Sequence, residues 1–413
     1  MIHLRPHQQR CFNAMQKYAC GQVIVPTGGG KTYIMIQHAL ELLKTGNKTI
    51  VVVAPRILLA NQLCEEFMQF IPQTWTHVCH AHSGETHHFS STKADKIGLF
   101  VNTARASAES AIVFTTYHSL HKVIDSGVPI DCIYYDEAHN GCQKNFFQSL
   151  KAVSYIADRK YYFTATPRIG RGVSAERGMT NSKVWGQTIA SVSAKELIET
   201  GAILPPKVVP FETNRVRNRV NAHQVDADNL MDIMNSLEGD HNKILVSAPS
   251  SKILGNMLGH TTILDYFSKE GYQVMHITSK FGAVINGKKV GREEFFNTLQ
   301  EWGADDNIRF VIFHYSILSE GINVPGLTHT ILLRNLPIIE MAQTIGRVIR
   351  VHKDDRKAVA DGLIPVGAFH LYKKGFGQVT MPTGYKQGNA IATRLQNVIN
   401  QIFIEGVPPL AYC

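Results

Sequence analysis

Short apolar runs, many of them β-branched, alternate along this chain with longer stretches whose apolar residues recur at helical spacing. In the first half the runs fall at residues 22–26, 49–54, 75–80, 111–115, 131–136 and 160–164, with helix-like segments at 33–43, 57–70 and 146–157. The second half repeats the scheme at 243–248, 272–278, 308–313, 328–333 and 367–371, with helix-like segments at 292–302 and 337–351. Runs that are apolar at successive positions need cover on both faces. The alternation therefore predicts an α/β fold of two tandem domains, each a mainly parallel sheet flanked by helices. Pro205 and Pro206 follow Gly201 and cannot continue a helix, so a boundary is expected there. The expected division is a first domain at 1–200, a linker at 201–225, a second domain at 226–375 and a helical tail at 376–413, with its helix at 390–404. Asn286-Gly287, between two short β-prone segments, reads as a hairpin tip.

The first run leads into Pro26-Thr27-Gly28-Gly29-Gly30-Lys31-Thr32 and then into a helix. Glycines allow a turn whose backbone N–H groups converge on phosphate oxygens, and the helix N-terminus adds its partial positive charge. Lys31 would reach the β- and γ-phosphates, and the Thr32 hydroxyl would ligate Mg²⁺. The general P-loop has a further glycine, where this chain has Val25-Pro26. The pattern is therefore the shortened form.

Asp136-Glu137-Ala138-His139 closes another buried run. Carboxylates at the end of such a strand stand where open α/β sheets bind ligands. Asp136 can hold Mg²⁺ and Glu137 can orient and deprotonate water, which suits phosphoanhydride hydrolysis. Thr164-Ala165-Thr166-Pro167 ends the next run, either to hydrogen-bond the acidic motif or as a plain Thr-Pro turn. Far downstream, Gln343, Arg347 and Arg350 fall at i, i+4 and i+7 of an expected helix and would share one face. Permanently charged guanidinium forks match phosphate oxygens and could act as arginine fingers.

Composition excludes little. Of 413 residues, 44% are hydrophobic and 18% charged, as in an ordinary globular protein. Net charge is +9 and the pI about 9.1, compatible with a polyanionic partner. No apolar run is long enough for a membrane span, and Met1 to Pro6 contain no secretory apolar stretch. Seven dispersed cysteines without a C-x-x-C pair suggest reduced thiols and a cytoplasmic setting, or a host cytoplasm for a viral chain.

Taken together, the ordered motifs resemble the superfamily 2 helicases of the DEAH-containing type, from Leu4 to Arg350. The flavour is that of compact phage helicases and restriction motor subunits. The resemblance implies RecA-like domains with an interdomain ATP cleft, ATP and Mg²⁺ as cofactors, and nucleic acid as partner, DNA favoured over RNA. It implies a base contact for Gln8 in Leu4-Arg5-Pro6-His7-Gln8, and a place for His139 in the ATP site. Segments 54–62 and 114–120 resemble motifs that touch the nucleic-acid backbone. Candidate contacts are Arg56, Thr115, Thr116, Ser279, Lys280 and Gly321. Residues 319–326 resemble the fifth motif, in which Asn323 replaces the usual Asp. The same motor on RNA, or an ATP-switched annealing factor, are the alternative expectations.

Weaker signals have ordinary readings beside functional ones. His77, Cys79, His80, His82, His87 and His88 crowd one stretch without a standard zinc spacing. Arg215, Arg217 and Arg219 could grip phosphates or line a solvated strand edge. The Asn286-Gly287 tip, with Lys288 and Lys289, could wedge a fork or be a surface hairpin. Tyr117, Phe281 and Trp302 read as core residues rather than stacking platforms.

Overall fold

A computed structural model describes residues 3–84, 86–237, 242–278, 280–315, 324–409 and 411–413. The chain divides into two compact units, Met1–Ser193 with Pro408–Cys413, and Ala194–Val407.

Among the described residues of the first unit, eight strands form one sheet in the spatial order Phe89–Ser90, Thr76–Ala81, Ser110–Thr116, Thr49–Ala54, Ile130–Tyr135, Ala157–Thr164, Cys20–Ile24, Thr188–Ser191. Every pairing in it is parallel. The registers Val53↔Thr115, Val53↔Tyr135 and Ile24↔Thr164 bring the C-terminal ends of the central strands to one edge. Successive residues Val51, Val52 and Val53 are all fully buried, because helices cover both faces. Each such valine, isoleucine or phenylalanine contributes about 1.5–3 kcal/mol over an exposed one, as an upper bound.

The second unit repeats the plan. Its sheet runs Pro206–Glu212, Gly377–Thr383, His329–Leu332, Lys243–Ser247, Phe310–His314, Gln273–Thr278, Gly282–Ile285, Lys288–Val290. The first six of these strands pair in parallel and the last two add an antiparallel hairpin. Two mainly parallel sheets covered by helices are the tandem RecA-like α/β architecture expected from the apolar runs.

Three local expectations change. The segment 367–371 is not a strand; it holds a short 3-10 turn, Phe369–Leu371, after Gly367 in the left-handed region at φ 77°. The place beside His329–Leu332 goes to Gly377–Thr383, inside the stretch read as a tail. Pro206, expected in a linker, opens the edge strand Pro206–Glu212. That strand pairs on one side only and so tolerates Pro206 and Pro210. At the far edge, Asn286 and Gly287 have φ of 47° and 79°, the conformation of a two-residue hairpin turn. Asn286 exchanges hydrogen bonds with Val274, so the tip lies at the start of strand Gln273–Thr278, away from its C-terminal end.

Candidate nucleotide-binding site

The glycine turn leaves strand Cys20–Ile24 and enters helix Lys31–Leu43. Gly28 and Gly30 have φ of 88° and 78°, which side-chain-bearing residues rarely adopt. Gly30 is doubly constrained, since a Cβ there would stand 2.2 Å from Gln8 Nε2. Helix Pro6–Lys17 braces the turn from beneath. His7 Nε2 lies 2.9 Å from the Gly29 carbonyl, and Gln8 Nε2 donates to the same oxygen at 3.3 Å. Gln8 Oε1 accepts from the Arg5 N–H at 2.8 Å. Gln8, expected at a base, is thus also a strut for the turn. His7 was missed as a site residue, although it lies in the same Pro6-His7-Gln8 signature.

The acidic motif follows strand Ile130–Tyr135. Glu137 sits in the left-handed region at φ 45°, an unusual state for a glutamate. Its carbonyl accepts from the Asn140 N–H at 2.9 Å and from the Asn140 side chain at 3.1 Å, which holds the bend. The bend aims the carboxylate at the glycine turn, with Oε1 3.2 Å from Lys31 Nζ. Burial and the neighbouring Glu137 charge push Asp136 up to about 7, against the pull of Lys31.

Strand Ala157–Thr164 lies between the strands that carry these two motifs. Its end therefore reaches the acidic motif. His139 Nδ1 lies 3.0 Å from Thr164 Oγ1, 3.2 Å from Thr166 Oγ1 and 3.6 Å from Glu137 Oε2. Burial lowers His139 to about 4, so the ring is neutral near pH 7. Of the two readings of Thr164 and Thr166, the geometry selects the hydrogen-bonded one.

These residues fit a Mg²⁺-triphosphate. Glycine holds both left-handed positions of the turn, Lys31 follows directly after it, and the oxygen donors Thr32 and Asp136 suit a hard cation.

In the second unit Gln343 and Arg347 lie on helix Ile338–Val348 and are 5% and 4% exposed. Arg350 does not share that helix, which ends at Val348 with Ile349 as its cap. Tertiary donors take the next carbonyls instead: the Leu204 N–H donates to Ile349 O at 2.7 Å, and Lys374 Nζ to Arg350 O at 3.0 Å. Ser279, Gly321 and Asn323 lie outside the described residues.

The strand-facing candidates separate. Arg56 is exposed at the start of helix Ile57–Met68, and Lys280 is exposed beside Phe281. Thr115 is fully buried and its hydroxyl donates to Ala81 O at 2.9 Å, which removes it as a backbone contact. Thr116 is 3% exposed and its hydroxyl accepts from the Ser119 N–H at 3.3 Å, so it too serves the turn.

Other signals resolve as structure. Arg217 pairs bidentately with fully buried Asp226 at 2.7 and 2.9 Å, and Arg215 pairs with Asp232. His80 Nδ1 bonds to His82 Nε2 at 2.9 Å, and the His80 ring stacks on Phe114 and His88. Among the described residues, metal-compatible spacing occurs instead at Asp306, His352 and Asp354. There Lys373 Nζ stands 2.7 Å from Asp306 and 3.1 Å from Asp354, so an ammonium already fills the role of a cation. Tyr117 is core, with its hydroxyl on Asp136 O. Among the described residues no helix is long and apolar enough to cross a membrane.

Residues 1–169 match the family "Type III restriction enzyme, res subunit". No curated protein matches the chain in sequence. Among solved structures, the ATP-dependent Type ISP restriction-modification enzyme LlaBIII bound to DNA is similar over 100% of this chain and 31% of its own, at TM-score 0.65 and 16% identity. A fragment of a putative HsdR subunit of a type I restriction enzyme from Vibrio vulnificus YJ016 is similar over 99% and 68%, at 0.62 and 18%. Dbp5 of S. cerevisiae, bound to RNA and ADP BeF3, is similar over 99% and 89%, at 0.59 and 13%. The chain thus spans about a third of the length of LlaBIII. The likeness to restriction motor subunits read from the motifs is met in sequence over residues 1–169, and the likeness to these structures in fold extends over the whole chain.

Proposed function

We propose that this chain is a DEAH-type, Mg²⁺-dependent ATPase that moves along nucleic acid, DNA before RNA. One observation carries the reading: a left-handed bend places the Glu137 carboxylate 3.2 Å from Lys31, beside a turn that needs glycine at Gly30.

Each group has a stated task. The backbone of Gly28, Gly29 and Gly30 and the Lys31 ammonium hold the β- and γ-phosphates. Glu137 orients the attacking water and takes its proton. Mg²⁺, held by Thr32 and Asp136, would neutralise charge on the phosphate oxygens. Gln343, Arg347 and Arg350 of the second unit serve the γ-phosphate, with the two arginines as fingers. Gln8 reads the base, and Asn323 couples nucleotide to strand. His139, through Thr164 and Thr166, ties the acidic motif to the next strand end.

Arg56 and Lys280, with Ser279 and Gly321, grip the phosphodiester backbone. That mode implies little sequence preference. DNA is put first because LlaBIII is described bound to DNA and HsdR is a restriction subunit, whereas Dbp5, described bound to RNA, keeps RNA as the second reading. The cytoplasm, or a host cytoplasm, is the proposed setting, in keeping with seven free thiols.

The test is ATP hydrolysis measured with single-stranded DNA, duplex DNA and RNA in parallel, followed by displacement of a bound strand or protein. DNA-stimulated turnover with displacement supports the reading. Stimulation by RNA alone transfers it to RNA, and hydrolysis without displacement favours an ATP-switched annealing factor.

A further inference from the structure

Arg350 lies beyond the end of helix Ile338–Val348, so helix geometry does not fix it. The last carbonyls of a helix and those just after it need donors from elsewhere. Lys374 supplies one of them. Its Nζ donates to Arg350 O at 3.0 Å and to Leu327 O at 2.6 Å. The lysine is itself held in place. The backbone N–H groups of Lys373 and Lys374 donate to the two carboxylate oxygens of Asp355, at 2.6 and 3.0 Å, and Asp355 is 3% exposed. A three-part clamp therefore runs from Asp355 through residues 373 and 374 to the backbone of Arg350. Burial and the Arg350 charge lower the Lys374 amine to about 7. An amine kept there against its solvation is a specific placement rather than a surface accident.

We propose that Lys374 is a positioning residue for hydrolysis: it anchors the Arg350 backbone so that the guanidinium reaches the γ-phosphate in one geometry. This rests on the finger role proposed above for Arg350. A guanidinium swings on a long flexible stem, and small misplacements of a reacting group are costly in rate. Anchoring the backbone at the root of the stem removes one source of misplacement.

Lys243 provides an internal control. It is 2% exposed and its Nζ donates to Gly303 O and Asp305 O at 2.7 and 2.8 Å. The chemistry is the same, but the helix it closes, Arg292–Ala304, carries no candidate site residue.

The experiment measures nucleic-acid-stimulated ATP hydrolysis and thermal unfolding for wild type, K243M, K374M, K374R, R350A and the K374M/R350A double variant. K374M is expected to lower kcat by about tenfold with the ATP KM within about twofold, the pattern of a lost transition-state contact. K374R, which keeps donors, should recover part of that loss. In the R350A background K374M should add nothing further. K243M should lower the melting temperature and leave kcat unchanged. Wild-type kcat in folded K374M overturns the proposal, and so does an equal loss in both backgrounds. Should K374M not fold, K374R compared in the two backgrounds gives the same decision. Normal hydrolysis by R350A would remove the role given to Arg350 itself, a failure distinct from that of Lys374.

Discussion

Lys31 Nζ lies 3.2 Å from Glu137 Oε1, although the two residues are 106 positions apart in the chain. Both side chains are nearly buried, at 11% and 6% exposure. A lysine and a carboxylate held this close in low dielectric interact strongly, and each sets the other's position. Lys31→Ala and Glu137→Gln should each reduce stimulated ATP hydrolysis by at least about a hundredfold. They should differ in binding. E137Q should still bind a fluorescent ATP analogue, whereas K31A should bind it much more weakly. Hydrolysis at the wild-type rate by either variant would mean that the site lies elsewhere.

Gly30→Ala faces two penalties at once, a φ of 78° and a Cβ 2.2 Å from Gln8 Nε2. Destabilisation of about 1–3 kcal/mol is expected, together with weaker nucleotide binding. Gly259→Ala is the comparison, because a Cβ there meets nothing within 4 Å and the residue lies inside helix Ser251–His260. That change should be neutral or slightly stabilising. Denaturant unfolding of the two variants side by side decides the matter.

Arg217, in the sequence either a phosphate contact or part of a solvated strand edge, is an ion-pair partner in the fold. Arg217→Met would leave the Asp226 carboxylate uncompensated at 0% exposure, costing about 3 kcal/mol. Nucleic-acid affinity and its salt dependence should not change. A lower slope of affinity against salt in a folded R217M protein would restore the phosphate role.

His38, His80 and His314 are each lowered by burial to about 3, from an ordinary value of 6.5. The unfolded chain therefore binds protons that the native state refuses. Their contribution to stability is intact above about 6.5, declines as pH falls, and is lost in full once pH passes below about 3. The melting temperature should fall on acidification through this window, and His314→Gln should make the fall shallower. An equal slope in wild type and H314Q would show that His314 titrates normally.

Much of the fold was legible in local pattern. Strand Thr49–Ala54 and helix Arg292–Ala304 follow from apolar runs and spacing that depend on neighbours a few residues away. The glycine turn was legible too, because backbone freedom is a property of the residue itself. Gly377–Thr383 was missed because its Gly and Pro resemble a loop, and only pairing with His329–Leu332 on one side and Pro206–Glu212 on the other makes it a strand. Thr115 was read as a nucleic-acid contact because segment 114–120 resembles a motif that touches the backbone. Its burial depends on Ala81, a neighbour across the sheet.

The order of motifs, the class of fold and the glycine turn that ends in Lys31 were determined by the sequence alone, since each depends on residue type and short spacing. Tertiary structure alone decided that Glu137 turns toward Lys31, that His7 and Gln8 prop the glycine turn, and that Arg350 leaves its helix for the clamp of Lys374. The reason is physical. Each of these depends on where a distant backbone carbonyl or charge comes to rest, and that position is set by the packing of whole strands and helices.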